Sequence, residues 1–436
     1  MEDLDGGVSV AIIGAGWAGM AAAVKLAEAK IPVSVFEAAR QLGGRARSVE
    51  VEGIALDNGQ HILIGAYRET LALMRIVGAD PEKLLQRAPL AIEFPGKFKL
   101  HTALLPAPWH LLAAMLTAKG LAPHEKLAVL RFMAAMRNRD YRIATDIPVG
   151  ELLAQHAQTG ALSRFLWEPL CVSALNTPAV SASAQVFLNV LRDALGGPRE
   201  NSDFLLPRAD LEKLFPEPAA AYVRAKAGSV RTGTPVRTLA RQADGFVLDG
   251  DCARYSHVIL AVGPHQLDGL LASFPALAAA RQSTAAFTYE PIYTCYLQYP
   301  QDIRMPRPMT GFDGGTIQWI FDRGHLNGIP GLLAAVISAR GKHQNLSQDA
   351  VALAIHHELA TSLPGLPEPR WSRVIAEKRA TFSCRPGIVR PGNQTAIGNL
   401  LLAGDYTASD YPATLEAAVR SGVQAARLVQ ESMDVA

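Results

Sequence analysis

The chain has 436 residues, 49% of them hydrophobic and 19% charged, a composition that supports a large buried core in two domains and excludes extended disorder. Its formal net charge of +2 lacks the basic excess of a nucleic-acid-binding protein. Cys171, Cys252, Cys295 and Cys384 stand far apart with no C-x-x-C spacing, so neither a disulfide framework nor a zinc site is expected; they read as reduced thiols of a cytoplasmic protein.

The acidic N-terminal residues lead almost at once into a strand, without a signal-peptide pattern. Val8 to Ile13 predicts a buried strand, Gly14 to Gly19 a glycine-rich turn opening a helix, and Val33 to Phe36 a second strand ending at Glu37. That spacing is what a dinucleotide needs. Gly14 permits the tight turn, Gly16 lets the backbone approach a pyrophosphate, and Gly19 lets the helix pack close to the strand. Ala18 lies in the same stretch, Glu37 is placed to accept the adenosine ribose hydroxyls, and Ala38 follows it. Directly afterwards come Gly43, Gly44 and Arg45. A nicotinamide site has no need of this second glycine pair and arginine, whereas extended FAD needs donors along its diphosphate and ribityl chain, so the expected cofactor is FAD.

Further along, Ala103 to Leu116 is strongly apolar and carries Trp109, but it is short and interrupted by prolines, so it does not read as a membrane span. Lys119, Lys126 and Arg131 follow, and a second apolar run, Leu127 to Met136, ends in Arg137, Arg139 and Arg142. Two readings stay open: a pair of core helices, or a surface that dips into one leaflet, placing the protein peripherally on the inner face of the cytoplasmic membrane. The whole stretch from about 76 to 204 reads as helical and punctuated by proline. Short strands are expected near Val230 to Val236, at Gly245 to Leu248 and at His257 to Val262, then at Tyr289 to Tyr299 and Leu332 to Ser338. Asp349 to Leu363 predicts an amphipathic helix stopped by Pro364. Asn399 to Asp405 reads as a buried strand ending in Gly404-Asp405, and Tyr411 to Gly422 as a loop entering a helix, with Thr414 and Leu415 at the entry.

The two ends of the chain resemble the FAD-binding segments of the flavin amine oxidase and carotenoid desaturase superfamily. Within it the chain is identified as a member of the squalene-associated FAD-dependent desaturases, the hydroxysqualene dehydroxylases. The branch resemblance is carried by Asp57-Asn58-Gly59-Gln60-His61, by Trp167 to Asn176 and by Glu377 to Phe382. Gly14 to Gly19, Gly43 to Arg47, Arg390-Pro391, Ala403 to Asp405 and Tyr411 to Glu416 complete it. The resemblance implies an α/β fold: a Rossmann-type FAD-binding domain of the amine oxidase type, built from 1–75, 205–265 and 385–436. It is interleaved with an α+β substrate domain, 76–204 and 266–384. It also implies that Val236 meets the adenine by its backbone and that Gly404 and Asp405 meet the ribityl-phosphate region. The helix entered through Thr414 and Leu415 would face the flavin pyrimidine edge, and Gly59, Gln60 and His61 would pass beside the isoalloxazine. With no Cys or His between Gly404 and Leu415, FAD is expected to be non-covalent.

The implied reaction replaces the allylic hydroxyl of hydroxysqualene by hydride from reduced FAD, giving squalene in squalene and hopanoid synthesis. Such a reaction needs an acid for the leaving hydroxyl, a long apolar pocket and the exclusion of water. His61, Glu168 and Tyr411 are the candidate acids; for His61 the alternative is a hydrogen bond to flavin or to a carbonyl. Trp167, Phe382 and Tyr411 are candidate pocket residues, with core packing the alternative for the first two. Asp57 reads as a turn or arginine partner, and Arg379 and Arg390 as facing either the diphosphate or a surface acid. A second nucleotide motif is not evident, so an external flavin reductant is expected. A carotenoid desaturase, a flavin amine oxidase in which Tyr406 and Tyr411 imitate an aromatic cage, and a non-catalytic FAD-binding scaffold are the alternatives.

Overall fold

The computed structural model describes residues 8–242, 245–249, 251 and 253–434, so Cys252 lies outside the described residues. A five-stranded parallel sheet draws on four distant parts of the sequence. Its order is Ser229–Arg231, Val33–Phe36, Val10–Ile13, His257–Leu260 and Leu400–Leu402. The central strands are apolar at nearly every position because both faces are covered. Val10 and Ile12 pack under the helices Trp17–Glu28 and Leu415–Asp434, while Ala11 and Ile13 pack toward Phe246 and Leu248 of an antiparallel meander. The two helices lie unusually close. A Cβ on Gly422 would stand 2.0 Å from the Ala18 carbonyl oxygen.

The second large sheet is antiparallel, ordered Met309–Gly311, Trp319–Asp322, Leu332–Ser338, Tyr289–Gln298 and Trp371–Phe382. Cys295, Leu297, Ala335 and Ile337 face the helix Gln348–Ser362, which contributes Val351, Ile355 and Leu359 and is N-capped by the Ser347 hydroxyl. The opposite face, with Tyr296, Ala334 and Val336, joins the core shared with the helices Pro123–Asn138, Glu168–Leu175 and Ala184–Leu195.

The stretch expected to be helical from 76 to 204 is corrected in part. Leu85–Ala88 pairs with Phe204–Pro207, and Ala91–Phe94 with Phe98–His101 forms a hairpin. These strands are four residues long, too short for their period to show in the sequence. The strand expected near Val236 ends at Arg231, and Val236 lies in the following loop. Among the described residues no helix is long and apolar enough to cross a membrane. The apolar run after Ala103 forms the helix Trp109–Thr117, with Trp109 and Leu116 each 60% exposed and Leu104 78% exposed.

Candidate active site

A cavity of about 640 Å³ runs along the C-terminal edge of the parallel sheet and continues against the antiparallel sheet. Its first wall is the turn Gly14–Gly16. Gly14 has φ +105°, and a Cβ there would lie 2.5 Å from the Ala261 carbonyl oxygen; one on Gly19 would lie 1.9 Å from the Gly14 oxygen. Both glycines are therefore required by the backbone itself. Gly16 differs, because a Cβ on it would point into the cavity and meet only Gly44 Cα at 3.9 Å and the Gly43 oxygen at 4.0 Å. Gly43 and Gly44 form a second left-handed turn, bridged to Gly16 and tied by Gly43 N–H to the Ala15 carbonyl at 3.0 Å. Two glycine turns thus face each other at the N-terminus of Trp17–Glu28, a fit for a diphosphate. Glu37 closes this end, its carboxylate accepting from the Ala15 and Ala39 N–H groups at 2.7 and 2.9 Å. Ala18, Ala38 and Val236 line the same end.

Gly404, Asp405, Thr414 and Leu415 line the cavity from the C-terminal segment. The Thr414 hydroxyl accepts from Ala417 N–H, capping the long C-terminal helix. Arg45 joins this segment to the N-terminal one: it donates to Asp405 Oδ1 and to the Ala380 carbonyl, each at 2.6 Å. Burial disfavours the Arg45 charge, but Asp405, helped by Glu377 and Tyr289, more than compensates and holds the guanidinium above its ordinary pKa. Arg45 is thereby fixed beside the cavity rather than free to swing.

The far end is lined by Asn58, Gly59, Gln60, His61 and Ile62, and across from them by Ser173, Ala174, Asn176, Ile292, Ala380 and Thr381. His61 Nδ1 lies 2.8 Å from the Gly59 carbonyl oxygen, so Nδ1 carries the proton and donates. Burial lowers its pKa, outweighing the nearby Asp57 carboxylate, and the imidazole is neutral near pH 7. Behind it Asp57 accepts from Leu211 N–H at 3.0 Å and stands 3.6 Å from the fully buried Arg323. Tyr406 also lines the cavity. Its hydroxyl is buried without a partner among the described residues, and burial raises the phenol, which therefore stays protonated.

Other candidates lie elsewhere. Trp167 is in the core against Phe132 and Phe187, its indole N–H donating to Gln158 Oε1 at 2.9 Å. Phe382, at the end of its strand, packs on Phe287 under the Arg390 guanidinium. The Tyr411 hydroxyl donates to Asp193 at 2.8 Å, and its pKa is pushed up to about 12 by burial and that carboxylate, which makes it a weaker acid. Glu168 is exposed and accepts from Ser163. Arg390 meets neither a diphosphate site nor a surface acid; it donates to the Thr407 and Tyr411 carbonyls and to Ser409. Arg379 lies over the Tyr289 ring, outside the cavity. Cys171, Cys295 and Cys384 are buried and unpaired.

Sequence reasoning does not single out Asn58, Asn176 or Arg323. Asn58 donates to the Arg45 carbonyl at 2.9 Å, and Asn176, in the left-handed region at φ +46°, bonds Thr381 at 3.0 Å. Both asparagines fall inside stretches whose composition is distinctive, but nothing in the sequence around Arg323 signals its place.

Fold and site together define an FAD-dependent oxidoreductase. Residues 17–430 match the family described as flavin containing amine oxidoreductase. The chain is 30% identical over 437 residues to a hydroxysqualene dehydroxylase of Zymomonas mobilis, covering 96% of this chain and 98% of the relative. It is 29% identical over 438 residues to another of Sinorhizobium fredii, with the same coverage. Among solved structures, cyclohexylamine oxidase from Brevibacterium oxydans superposes with a TM-score of 0.70 at 17% identity, covering 98% of this chain and all of that one. The chain belongs to the flavin-containing amine oxidoreductase family, in the branch of the hydroxysqualene dehydroxylases.

Proposed function

We propose that this protein removes the allylic hydroxyl of hydroxysqualene reductively, releasing squalene and water. The observation that supports this most is the near full-length likeness to two hydroxysqualene dehydroxylases, joined to a cavity whose glycine turns suit a diphosphate and whose far end carries His61. Gly14, Gly16, Gly43 and Gly44 would admit the FAD diphosphate, with Gly19 letting the helix pack close behind them, Glu37 the adenosine ribose, and Gly404, Asp405, Thr414 and Leu415 the ribityl and ring. When bound in its reduced form, FAD supplies the hydride.

The chain's own residues have three tasks. Ala174, Ile62 and Ile292 keep water from the far end of the cavity, which protects a developing allylic cation from recapture as alcohol. Gly59 fixes the His61 tautomer, so Nε2 is the nitrogen available to the substrate oxygen. The hydroxyl leaves as water only with a proton, and His61 holds that proton at Nε2 once charged; C–O breaks, C–H forms, and charge balances. Three further proposals complete the reading. The segments around the parallel sheet form a discontinuous FAD domain, and 76–204 with 266–384 form the substrate domain. An external reductant, not a nicotinamide site of this chain, reloads the flavin. The exposed Leu104, Leu105, Trp109 and Leu116, with Lys126 bonded to the Leu116 carbonyl at 2.8 Å, rest peripherally on an anionic bilayer from which the substrate is drawn.

The test is anaerobic incubation of purified protein, carrying chemically reduced FAD, with hydroxysqualene. Squalene should appear in step with flavin reoxidation. Flavin that stays reduced while the alcohol is unchanged refutes the proposal, and oxidation of NADPH by the pure protein refutes the external reductant.

A further inference from the structure

Arg323 opens the short helix Arg323–Asn327, at the edge of the antiparallel sheet, and is fully buried. Burying a guanidinium is costly unless it is paired closely. Its carboxylate neighbour, Asp57, is 3.6 Å away, beyond a normal hydrogen bond, and Nε and Nη2 have no partner among the described residues. The one short bond it makes runs from Nη1 to Gln60 Oε1 at 2.8 Å. A guanidinium has only donors, so the atom it meets must be the amide oxygen. The orientation of the Gln60 amide is therefore forced. Its NH₂ group is turned away from Arg323, on a side chain that lines the far end of the cavity next to His61, and Nε2 makes only a long 3.4 Å contact to the His61 carbonyl. The Gln60 backbone N–H lies 3.4 Å from Thr294 Oγ1, which places the residue against the second sheet.

We infer that Arg323 is a positioning residue that locks the Gln60 amide with its N–H aimed into the far end of the cavity. There it donates to an acceptor oxygen or nitrogen of what binds beside His61, either an edge atom of the flavin ring or the hydroxyl of the substrate. The inference rests on the FAD and hydroxysqualene reading above.

The test compares wild-type holoenzyme with Gln60→Leu, which keeps bulk and loses the donors without adding charge, and Gln60→Glu, which keeps the Arg323 bond, loses the donors and adds a carboxylate, so that only a loss shared by both variants reports the donor. One arm titrates the oxidised flavin with sulfite and records its absorption spectrum. The other measures the preference for hydroxysqualene over squalene, which lacks the hydroxyl. Loss of one hydrogen bond weakens an equilibrium by roughly tenfold. A roughly tenfold loss of sulfite affinity in both variants assigns the donor to the flavin. An unchanged flavin with an equal loss of hydroxysqualene preference assigns it to the substrate. Arg323→Met should reproduce the same change, and Arg323→Lys should restore it in part. Variants that retain flavin and stay within about twofold of wild type in both arms overturn the assignment. A wild-type chain that takes up no FAD overturns the underlying reading and this assignment with it.

Discussion

Substituting Gly16 by alanine separates the demands of the fold from those of the cofactor. Gly16 precedes the first helix with φ −73° and ψ −178°, an extended conformation open to any residue. Its new Cβ would meet no protein atom closer than 3.9 Å. The cost to the cofactor-free protein is that of a poorer N-cap, about 1 kcal/mol at most, partly offset by a stiffer unfolded chain. Its melting temperature should move by a few degrees or less, by roughly ΔΔG/ΔS. The methyl group nevertheless stands between the two facing glycine turns, where the diphosphate must pass. Overpacking such a site costs about 1–3 kcal/mol, so FAD should bind roughly 5- to 150-fold more weakly. Gly19→Ala is the contrasting variant. Its Cβ would lie 1.9 Å from the Gly14 carbonyl oxygen and 3.1 Å from Ala261 Cβ, so the helix must move off the strand in the absence of any cofactor. Flavin fluorescence titration and thermal unfolding of the two apoproteins measure both quantities. If Gly16→Ala binds FAD as tightly as wild type, or destabilises the apoprotein as much as Gly19→Ala, the diphosphate does not lie where these turns meet.

Because burial holds His61 below the ordinary imidazole value of 6.5, little of it is charged at pH 7, and turnover should climb as pH falls through and below that value, with His61→Asn losing the climb; a flat profile removes His61 as the proton source. The stability linked to the same group has the opposite slope: it is complete above pH 6.5 and is lost as pH falls toward the depressed native value, so melting curves of wild type and His61→Gln should converge at acid pH. Glu416 is fully buried and accepts from Glu69 N–H, Thr70 N–H, the Thr70 hydroxyl and Arg420, so Glu416→Ala should lose about 2–4 kcal/mol in denaturant unfolding. Trp109→Ser combined with Leu104→Gln should abolish co-sedimentation with anionic vesicles, since each large apolar side chain contributes roughly 1.5–3 kcal/mol on burial; wild-type protein that ignores such vesicles refutes the membrane contact.

What could be read from the sequence was local. The spacing of Gly14, Gly16 and Gly19 has meaning because a tight turn, a close approach and a packed helix are all decided within one stretch of chain; the structure gives Gly14 and Gly19 a steric reason within the protein and leaves Gly16 open toward the cavity. The same holds for the helix Gln348–Ser362, bounded by a serine cap and a proline. What could not be read was the partner of a side chain when that partner is distant. Arg45 and Asp405 were each visible, but their bond spans 360 positions. Arg390 offered two acidic targets, yet it is held by carbonyl oxygens of a loop, acceptors that every residue carries and no sequence pattern distinguishes. Trp167, which the sequence left between pocket and core, turns on the direction of its side chain, and it packs in the core. It ends a single π-helical turn, Ser163–Trp167, and that widened turn shifts which side chains of Glu168–Leu175 face inward, so Trp167 enters the core while Ser173 and Ala174 reach the cavity. Arg323 combines distance and direction. Its role exists only because the helix it opens is laid against Asp57 and Gln60 by the closure of two sheets, an arrangement that no window of sequence contains.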